Sequence, residues 1–121
     1  MALNRTRLKP APFKGKKHTR TKALAITPET KLEVWNRDGH CSVWSRKPVP
    51  KECSCCHFIR RSQSGLGIPQ NILTLTPEEH EAFDSGPIEI REEMRRFFKN
   101  YLSVYYAEWE WSEDKLKFKK E

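Results

Sequence analysis

The chain is 121 residues long and 36% hydrophobic, which suits one domain with a modest core and a tail. It has no apolar run long enough to span a bilayer. Its basic N-terminus lacks the apolar stretch and small-residue cleavage site of a secretory signal. We therefore expect a cytoplasmic protein with no membrane partner.

The net charge of +7 is concentrated at the N-terminus. Residues 1–25 contain eight of the 23 basic residues and no acidic residue, whereas the remaining 15 basic and 16 acidic residues nearly cancel. This composition and a weak hydrophobic pattern predict a disordered basic arm that lies along a phosphate backbone. The candidate DNA contacts in the arm are Lys14, Lys16, Lys17 and Arg20. The alternative is a tail that only improves solubility or adheres to ribosomes.

The first element predicted after the arm is a short helix over residues 28–37. Thr27 is a good N-cap, and the proline that follows it suits the first helical position. The spacing of apolar residues predicts that Leu32 and Trp35 are buried on one side of this helix. The Asp-Gly pair that ends in Gly39 should terminate it.

A β-loop-β unit is predicted next. Residues 40–59 indicate two short strands, the second of them Cys53–Ile59, with β-favouring residues at its end. A Ser- and Gly-rich loop follows over residues 60–67, and residues 71–75 form another apolar strand. Three of the four cysteines fall within the stretch 53–56, which is poor geometry for separate disulfides, so metal binding or plain burial is the expected role.

Two helices complete the prediction. Thr76 and Glu79 form a capping box at the start of the first, which carries His80 and Asp84 on one face and ends at Ser85-Gly86-Pro87. The second runs over residues 88–106, and its expected core stripe is Ile90, Met94, Phe97, Tyr101 and Tyr105. Trp109 and Trp111 should pin the C-terminal segment to the domain. The predicted organisation is an arm over residues 1–25, a core over 26–86, and a C-terminal helix and tail over 87–121.

The side chains His57, Asn71, His80 and Asp84 have the chemistry of a metal-assisted hydrolytic site. A cation held by His80 and Asp84 would offset the negative charge of a scissile phosphate. A neutral His57 would take a proton from water, because imidazole titrates near the working pH. Asn71 would hold the intervening loop through side-chain to backbone hydrogen bonds. Each of these residues alone has an ordinary structural explanation, and only their combination favours a site.

The stretch from Thr27 to Asp84 resembles the HNH endonucleases of the ββα-metal class, and it is most similar to small phage and prophage members. The shared features are an opening helix that ends in RDG, a strand end His-Phe-Ile-x-Arg, a Gly-rich loop, the motif Asn-Ile-x-Thr-Leu and a His-bearing helix. The resemblance implies an α+β fold, in which a ββα-metal core has a short helix before it and a long aromatic helix after it.

The resemblance also implies roles for individual residues. His57 matches the general base, Asn71 the middle Asn, and His80 the metal-binding His. Asp84 matches a position where related DNases place a further ligand, and Cys56 stands where many members have a ligand Asp or His. The implied cofactor is one divalent ion, Mg²⁺, Mn²⁺, Ni²⁺ or Zn²⁺. Arg60 and Arg61, directly after the His57 strand, are candidates for phosphate contacts or for simple solvation of the loop.

The chain departs from the family where many members hold a structural zinc with two Cys-x-x-Cys pairs. Cys41 is present, but Trp44 occupies its partner position, and the second pair falls at Thr76 and Glu79. We therefore expect no structural zinc, with the capping box fixing the helix start instead. A rearranged zinc site is the alternative; its candidate ligands are Cys41, Cys53, Cys55 and His40.

The position of Cys56 is the second departure from the family. A thiolate there suits Zn²⁺ better than Mg²⁺. Either Cys56 is a ligand, or it is only buried and the metal rests on His80, Asp84, waters and phosphate.

The predicted function is metal-dependent hydrolysis of DNA phosphodiester bonds that leaves a 5′ phosphate, in a protein encoded by a phage or prophage. One site cuts one strand, so the predicted activity is nicking, with double-strand cutting if two copies act as a homodimer. The first alternative is a catalytically degenerate adaptor that binds DNA or inhibits another protein. The second is a purely structural zinc-binding protein, which the cysteine spacing argues against.

Overall fold

The computed structural model of the chain describes residues 15–52 and 55–119. It has the α+β class that the sequence predicts, because a small antiparallel sheet is surrounded by helices. The helices are α1 Gly15–Leu24, α2 Pro28–Arg37, α3 Pro77–Ser85 and α4 Ile88–Tyr105, and the strands are β1 Cys55–His57 and β2 Ile72–Thr74. In the sheet, Cys56 lies opposite Leu73 and His57 opposite Ile72. No helix in these two ranges is both long and apolar enough to cross a membrane.

The predicted arm is partly a helix. Residues 15–24 form α1, so the expectation of disorder over residues 1–25 is wrong for this part, while residues 1–14 lie outside the described ranges. The low apolar content of α1 hid it in the sequence, because Leu24, the buried residue among the side chains described in this helix, comes at its last position. Packing of the end of a helix against the rest of the protein can stabilise the helix even where its own sequence has a weak hydrophobic pattern.

The boundaries of α2 and α3 are confirmed. The Thr27 side chain accepts a hydrogen bond from the Thr30 amide, and Gly39 leaves α2 with φ 74°. The residue that α2 buries is Val34, however, and Leu32 is 43% exposed, so the prediction for Leu32 is wrong. Trp35 is half-buried and donates from its indole nitrogen to the Val49 carbonyl at 2.7 Å.

The strands are shorter than predicted. The expected strand after residue 40 is a single bridge between Cys41 and Pro48, while β1 begins at Cys55 with residues 53 and 54 outside the described ranges. A proline has no N–H to continue a ladder, and Arg46 takes φ 67°, which turns the chain before a second rung forms. The β-loop-β order is confirmed, with shorter strands at both ends.

The core-facing stripe of helix α4 matches the predicted one only in part, since Met94 is buried and Tyr101 packs against the core as expected. Its buried residues are Met94, Phe98 and Leu102, whereas Phe97 and Ile90 are 44% exposed. Tyr105, also predicted to be in the core, is 57% exposed. This helix has two neighbouring apolar stripes. The periodicity of the sequence alone does not predict which of them packs against the sheet and α3.

The C-terminal segment is held to the core as predicted. The Trp111 indole donates to the Gln70 carbonyl at 2.9 Å, and its ring meets the edge of Phe58 at 5.8 Å between centroids. Further along, the Leu66 amide donates to the Leu116 carbonyl at 2.8 Å, and Gly65 pairs with Lys117. The end of the chain therefore braces the loop that follows β1.

A buried ion pair joins α2 to the sheet and the C-terminal region. The guanidinium of Arg37 donates to both carboxylate oxygens of Asp38, at 2.7 and 2.9 Å. It also donates to the Pro69 carbonyl at 2.8 Å, to the Ile72 carbonyl at 2.7 Å and to the Tyr106 hydroxyl at 3.2 Å. Burial acts to lower the pKa of Arg37, but the hydrogen bonds and charge of Asp38 outweigh it, so Arg37 stays charged.

The carboxylate of Asp38 accepts two further hydrogen bonds. The Thr74 amide donates to it at 3.0 Å, and the Tyr101 hydroxyl donates to it at 2.7 Å. One carboxylate thus connects the end of α2, strand β2 and the middle of α4, in a position that is 2% exposed.

A second polar contact fixes the start of α3. Within the capping box, the Glu79 amide donates to the Thr76 hydroxyl at 3.2 Å, and the Thr76 amide donates back to the Glu79 carboxylate at 3.1 Å. The hydroxyl of Ser42, in the turn after α2, donates to the same carboxylate at 2.5 Å. The Trp44 ring, from that turn, meets Phe98 edge-on at 5.9 Å. We call these contacts among Ser42, Thr76 and Glu79 the Ser42–Glu79 clasp.

Glu79→Gln is expected to lower the free energy of unfolding by about 1 kcal/mol at pH 7, because the amide keeps the capping box but loses its charge-assisted hydrogen bonds. Burial acts to raise the pKa of Glu79, but hydrogen bonds from Ser42, Ser45 and Thr76 outweigh it and lower the pKa. A lowered carboxyl pKa contributes stability above the ordinary value of about 4.3, and this contribution is lost as the pH falls below it. Urea unfolding at pH 7 and pH 3.5 (roughly one unit below that value) measures the difference.

The control for this measurement is Glu81→Gln, an exposed change in the same helix that leaves the clasp intact. It should have little effect at either pH. An equal loss of stability at both pH values in Glu79→Gln would contradict the role given to the ionised carboxylate.

Candidate active site

A surface cleft of about 230 Å³ collects most of the residues that the sequence singles out. Its lining residues are Cys56, His57, Arg60, Arg61, His80, Phe83 and Asp84. Strand β1 contributes the first two, and α3 contributes the last three. His57 and His80 therefore face a common pocket, although 22 intervening residues separate them in the sequence. The antiparallel pairing of β1 and β2 brings α3 back to the end of β1.

His57 is held by a backbone atom of the N-terminal helix. Its Nε2 lies 3.0 Å from the carbonyl oxygen of Leu24. A carbonyl only accepts, so Nε2 carries the proton and the neutral ring keeps its free lone pair on Nδ1. Burial lowers the pKa of His57, the Leu24 carbonyl opposes this, and the positive charges of Arg61 and His80 lower it further. His57 is consequently neutral at neutral pH.

Asn71 makes the loop-holding contacts that the sequence predicts. Its side chain is fully buried; Oδ1 accepts from the Ile59 amide at 2.8 Å, and Nδ2 donates to the Ile59 carbonyl at 3.1 Å. Nδ2 also donates to the Leu66 carbonyl at 2.8 Å. These bonds close the loop between the end of β1 and the start of β2, and so fix the chain directly after His57.

His80 and Asp84 lie one turn apart on the cleft side of α3, and Asp84 is already engaged. Arg60 Nη2 donates to the Asp84 carbonyl at 2.6 Å, and its Nε lies 3.6 Å from the carboxylate. Both side chains are largely exposed, at 40% and 59%, so the ion pair contributes little stability and is easily exchanged. Arg60, a candidate phosphate contact, is paired here with a candidate metal ligand, and its contact with phosphate stays a prediction.

Cys56 is a neutral thiol in the wall of the cleft. It is 2% exposed, and burial, with the negative charge of Asp84, raises its pKa to about 12. Its Sγ donates to the His57 carbonyl at 3.5 Å. Cys56 is therefore buried, and a role for it as a metal ligand stays a prediction.

The DNA contacts predicted in the arm divide into three groups. Lys14 lies outside the described residues. Lys16 and Lys17 lie in the first part of α1, in which the backbone is described but the side chains are not. Arg20 is described, and its Nη2 lies 3.2 Å from both the Arg61 carbonyl and the Ser64 hydroxyl. Arg20 therefore ties α1 to the loop after β1. Arg61 itself is exposed at the rim of the cleft.

Sequence reasoning missed the part that Leu24 plays at this site. The contact uses its backbone carbonyl, and any residue at the end of a helix supplies such an oxygen, so no side-chain pattern could point to it. Phe83 was missed as well; it forms part of the cleft while its ring packs on Phe98 at 5.1 Å.

Comparisons of the chain with protein-family models, with curated proteins and with solved structures find no match. Inferences about function therefore depend on the geometry of the cleft and on the sequence resemblance given above.

Proposed function

We propose that the chain is a metal-dependent HNH endonuclease that hydrolyses DNA phosphodiester bonds by nicking one strand. The observation that carries this proposal is the cleft in which a neutral His57, with Nε2 tied to Leu24, faces His80 and Asp84. The β1–loop–β2–α3 order supports a ββα-metal core, since it brings a strand end and a helix face together at that cleft.

His57 acts as the general base in this proposal. Its Nδ1 lone pair accepts a proton from a water molecule as the water oxygen forms a bond to phosphorus. The bond between phosphorus and the 3′ oxygen breaks, which leaves a 5′ phosphate and a 3′ hydroxyl once that oxygen is protonated. Asn71 acts as a positioning residue, because its three loop contacts hold the chain that leaves His57.

The cleft suits one divalent cation bound at an open site. His80 and Asp84 are two donors on successive turns of α3, and no group of three or more His, Cys, Asp or Glu side chains with metal-binding geometry occurs in residues 15–52 and 55–119. Two protein donors leave positions for water and phosphate, as hard cations such as Mg²⁺ prefer. When bound, the cation would neutralise charge on the phosphate and on the leaving oxygen. Cys56 is buried in the wall of the cleft, and the proposed site does not use it as a ligand.

A structural zinc of the family type does not fit the described residues. Two of the four family ligand positions fall at Thr76 and Glu79, whose polar atoms are engaged in the Ser42–Glu79 clasp. A third falls at Trp44, which packs against aromatic rings and has no metal donor. That the fold forms without zinc remains a prediction, and metal analysis of the purified protein tests it.

Conversion of supercoiled plasmid to the open-circular form tests the proposed activity. We expect nicking with at least one of Mg²⁺, Mn²⁺, Ni²⁺ and Zn²⁺, and none in chelator. His80→Ala should need a metal concentration at least about tenfold higher for half-maximal rate, because loss of one ligand weakens an open site. Glu81→Gln, on the same helix, should behave as the wild type. An unchanged metal dependence in His80→Ala would remove His80 from the metal site.

The Arg60–Asp84 ion pair favours a second candidate function, the catalytically degenerate adaptor. In that case Arg60 competes with a metal ion for the Asp84 carboxylate, and no metal is bound. The same assay separates the two candidates. No nicking with any metal, together with salt-sensitive DNA binding, would support the adaptor and refute the nuclease.

A further inference from the structure

The last turn of α1 is attached to the candidate base. The final carbonyls of any α-helix lack partners within the helix. In α1 these groups find donors at the cleft, since the Ala23 carbonyl accepts from the Gly67 amide and the Leu24 carbonyl accepts from His57 Nε2, each at 3.0 Å. The imidazole of His57 is therefore part of the C-terminal cap of α1.

We infer that the docked end of α1 is a positioning element that keeps His57 in one tautomer with Nδ1 turned to the cleft. The effect of this positioning on catalysis rests on the proposed nuclease function. A neutral imidazole without such a partner populates both tautomers, and the form protonated on Nδ1 has no lone pair there to accept a proton. The Leu24 carbonyl removes that inactive form.

The attachment of α1 is separate from the main core. The central hydrophobic cluster is built from residues of the β-strands, α3, α4 and the segments joined to them, and no described residue of α1 belongs to it. Arg20 supplies a second attachment point, at the loop after β1. A segment held at one end by the buried Leu24 side chain and a few hydrogen bonds opens at lower free energy than the core. Displacing α1 should therefore alter His57 while the domain remains folded.

Gly67 offers a direct way to displace α1. A Cβ at this position would overlap the Ala25 carbonyl and lie 3.0 Å from the Leu24 oxygen. Gly67→Ala therefore pushes the end of α1 away from the loop. Ala23→Pro disrupts the same contact from the other side, because proline breaks the last turn of the helix. Gly39→Ala is the control, since Gly39 also needs a glycine-type φ of 74° but is exposed, and a Cβ added there would meet only the Arg46 side chain, at 3.5 Å.

Nitrogen-15 NMR of the His57 ring in the full chain tests the inference at a pH above the imidazole pKa. We expect one Nε2–H tautomer in the wild type and in Gly39→Ala, and a mixture of tautomers in Gly67→Ala and Ala23→Pro. Nicking at saturating DNA should fall by about ten- to a hundredfold in both α1 variants, as expected for a misaimed base. The effect of Gly67→Ala should vanish in a His57→Ala background.

A single Nε2–H tautomer in both α1 variants would overturn the inference. The ring signal does not depend on activity, so the inference and the proposed function can fail separately. If His57→Ala nicks at the wild-type rate while the α1 variants still change the tautomers, the link between α1 and His57 stands and the role of His57 as the general base is refuted. If no metal supports nicking while the tautomers still change, the link stands and the nuclease proposal is refuted.

Discussion

His57→Ala should reduce the nicking rate by a factor of about 10² to 10⁴, the usual contribution of a general base. Affinity for DNA measured without metal should stay within about twofold, because the change removes a proton acceptor and leaves the basic residues around the cleft in place. The rate constant at saturating DNA and the dissociation constant, determined separately, measure the two effects.

The pH profile provides a second test of His57. Because its pKa is lowered, chiefly by burial, the ring remains neutral to a lower pH than a free imidazole of pKa about 6.5. The wild-type rate should rise with pH on the acid side and level off below that value. His57→Ala should lose this rise.

His40→Ala is the matched control for the loss of an imidazole. His40 stacks on Trp35 at 3.6 Å and donates from Nε2 to Asn36 Oδ1 at 2.9 Å, away from the cleft. It should keep the wild-type rate and pH profile. A His57→Ala protein that nicks as fast as His40→Ala would refute the proposed base.

Arg37→Ala should lower the free energy of unfolding by about 3–5 kcal/mol, the usual cost of removing one partner of a buried ion pair. The change leaves the Asp38 carboxylate buried beside only its neutral donors. It also leaves the carbonyls of Pro69 and Ile72 without the guanidinium. Urea unfolding followed by circular dichroism measures the loss. Arg37→Lys should recover only part of the lost stability, because an ammonium group cannot form the paired, planar hydrogen bonds that a guanidinium makes to a carboxylate.

A folded protein has only about 5–15 kcal/mol of stability, so Arg37→Ala can leave too little for a measurable transition. Tyr101→Phe then provides a milder test, because it removes only the 2.7 Å hydrogen bond to Asp38 and should cost about 1 kcal/mol. Arg96→Ala, an exposed change on α4, is the control. A loss below about 1 kcal/mol in Arg37→Ala would contradict a central role for the ion pair.

The parts of the fold that the sequence predicted best are those fixed by local chemistry. Thr27 and Thr76 each accept a hydrogen bond from a backbone amide at a helix start, and such caps depend on neighbours within three residues. The contacts of Asn71 were also predictable, because a short amide side chain at the start of a strand readily forms hydrogen bonds with nearby backbone groups. The convergence of His57 and His80 followed from the β-loop-β-helix order.

The failures all depend on distant parts of the chain. Helix α4 offers Phe97 and Phe98 side by side, and only the position of α3 and the sheet decides that Phe98 is buried. Helix α1 looked disordered because its apolar content is low and because two of its attachments use backbone carbonyls, which carry no sequence signature. The pairing of Arg60 with Asp84 could not be read from spacing either, since 23 residues separate them along the chain.

The Ser42–Glu79 clasp bears on how the protein is prepared and stored. A helix start held by hydroxyl and carboxylate groups is complete as soon as the chain folds, with no ion required to close it. Folding and loading with the proposed cation would then be independent events. A chelator would remove the cation from the cleft while the protein stays folded. Metal-free protein could then be stored in an inactive form and activated by adding a chosen ion.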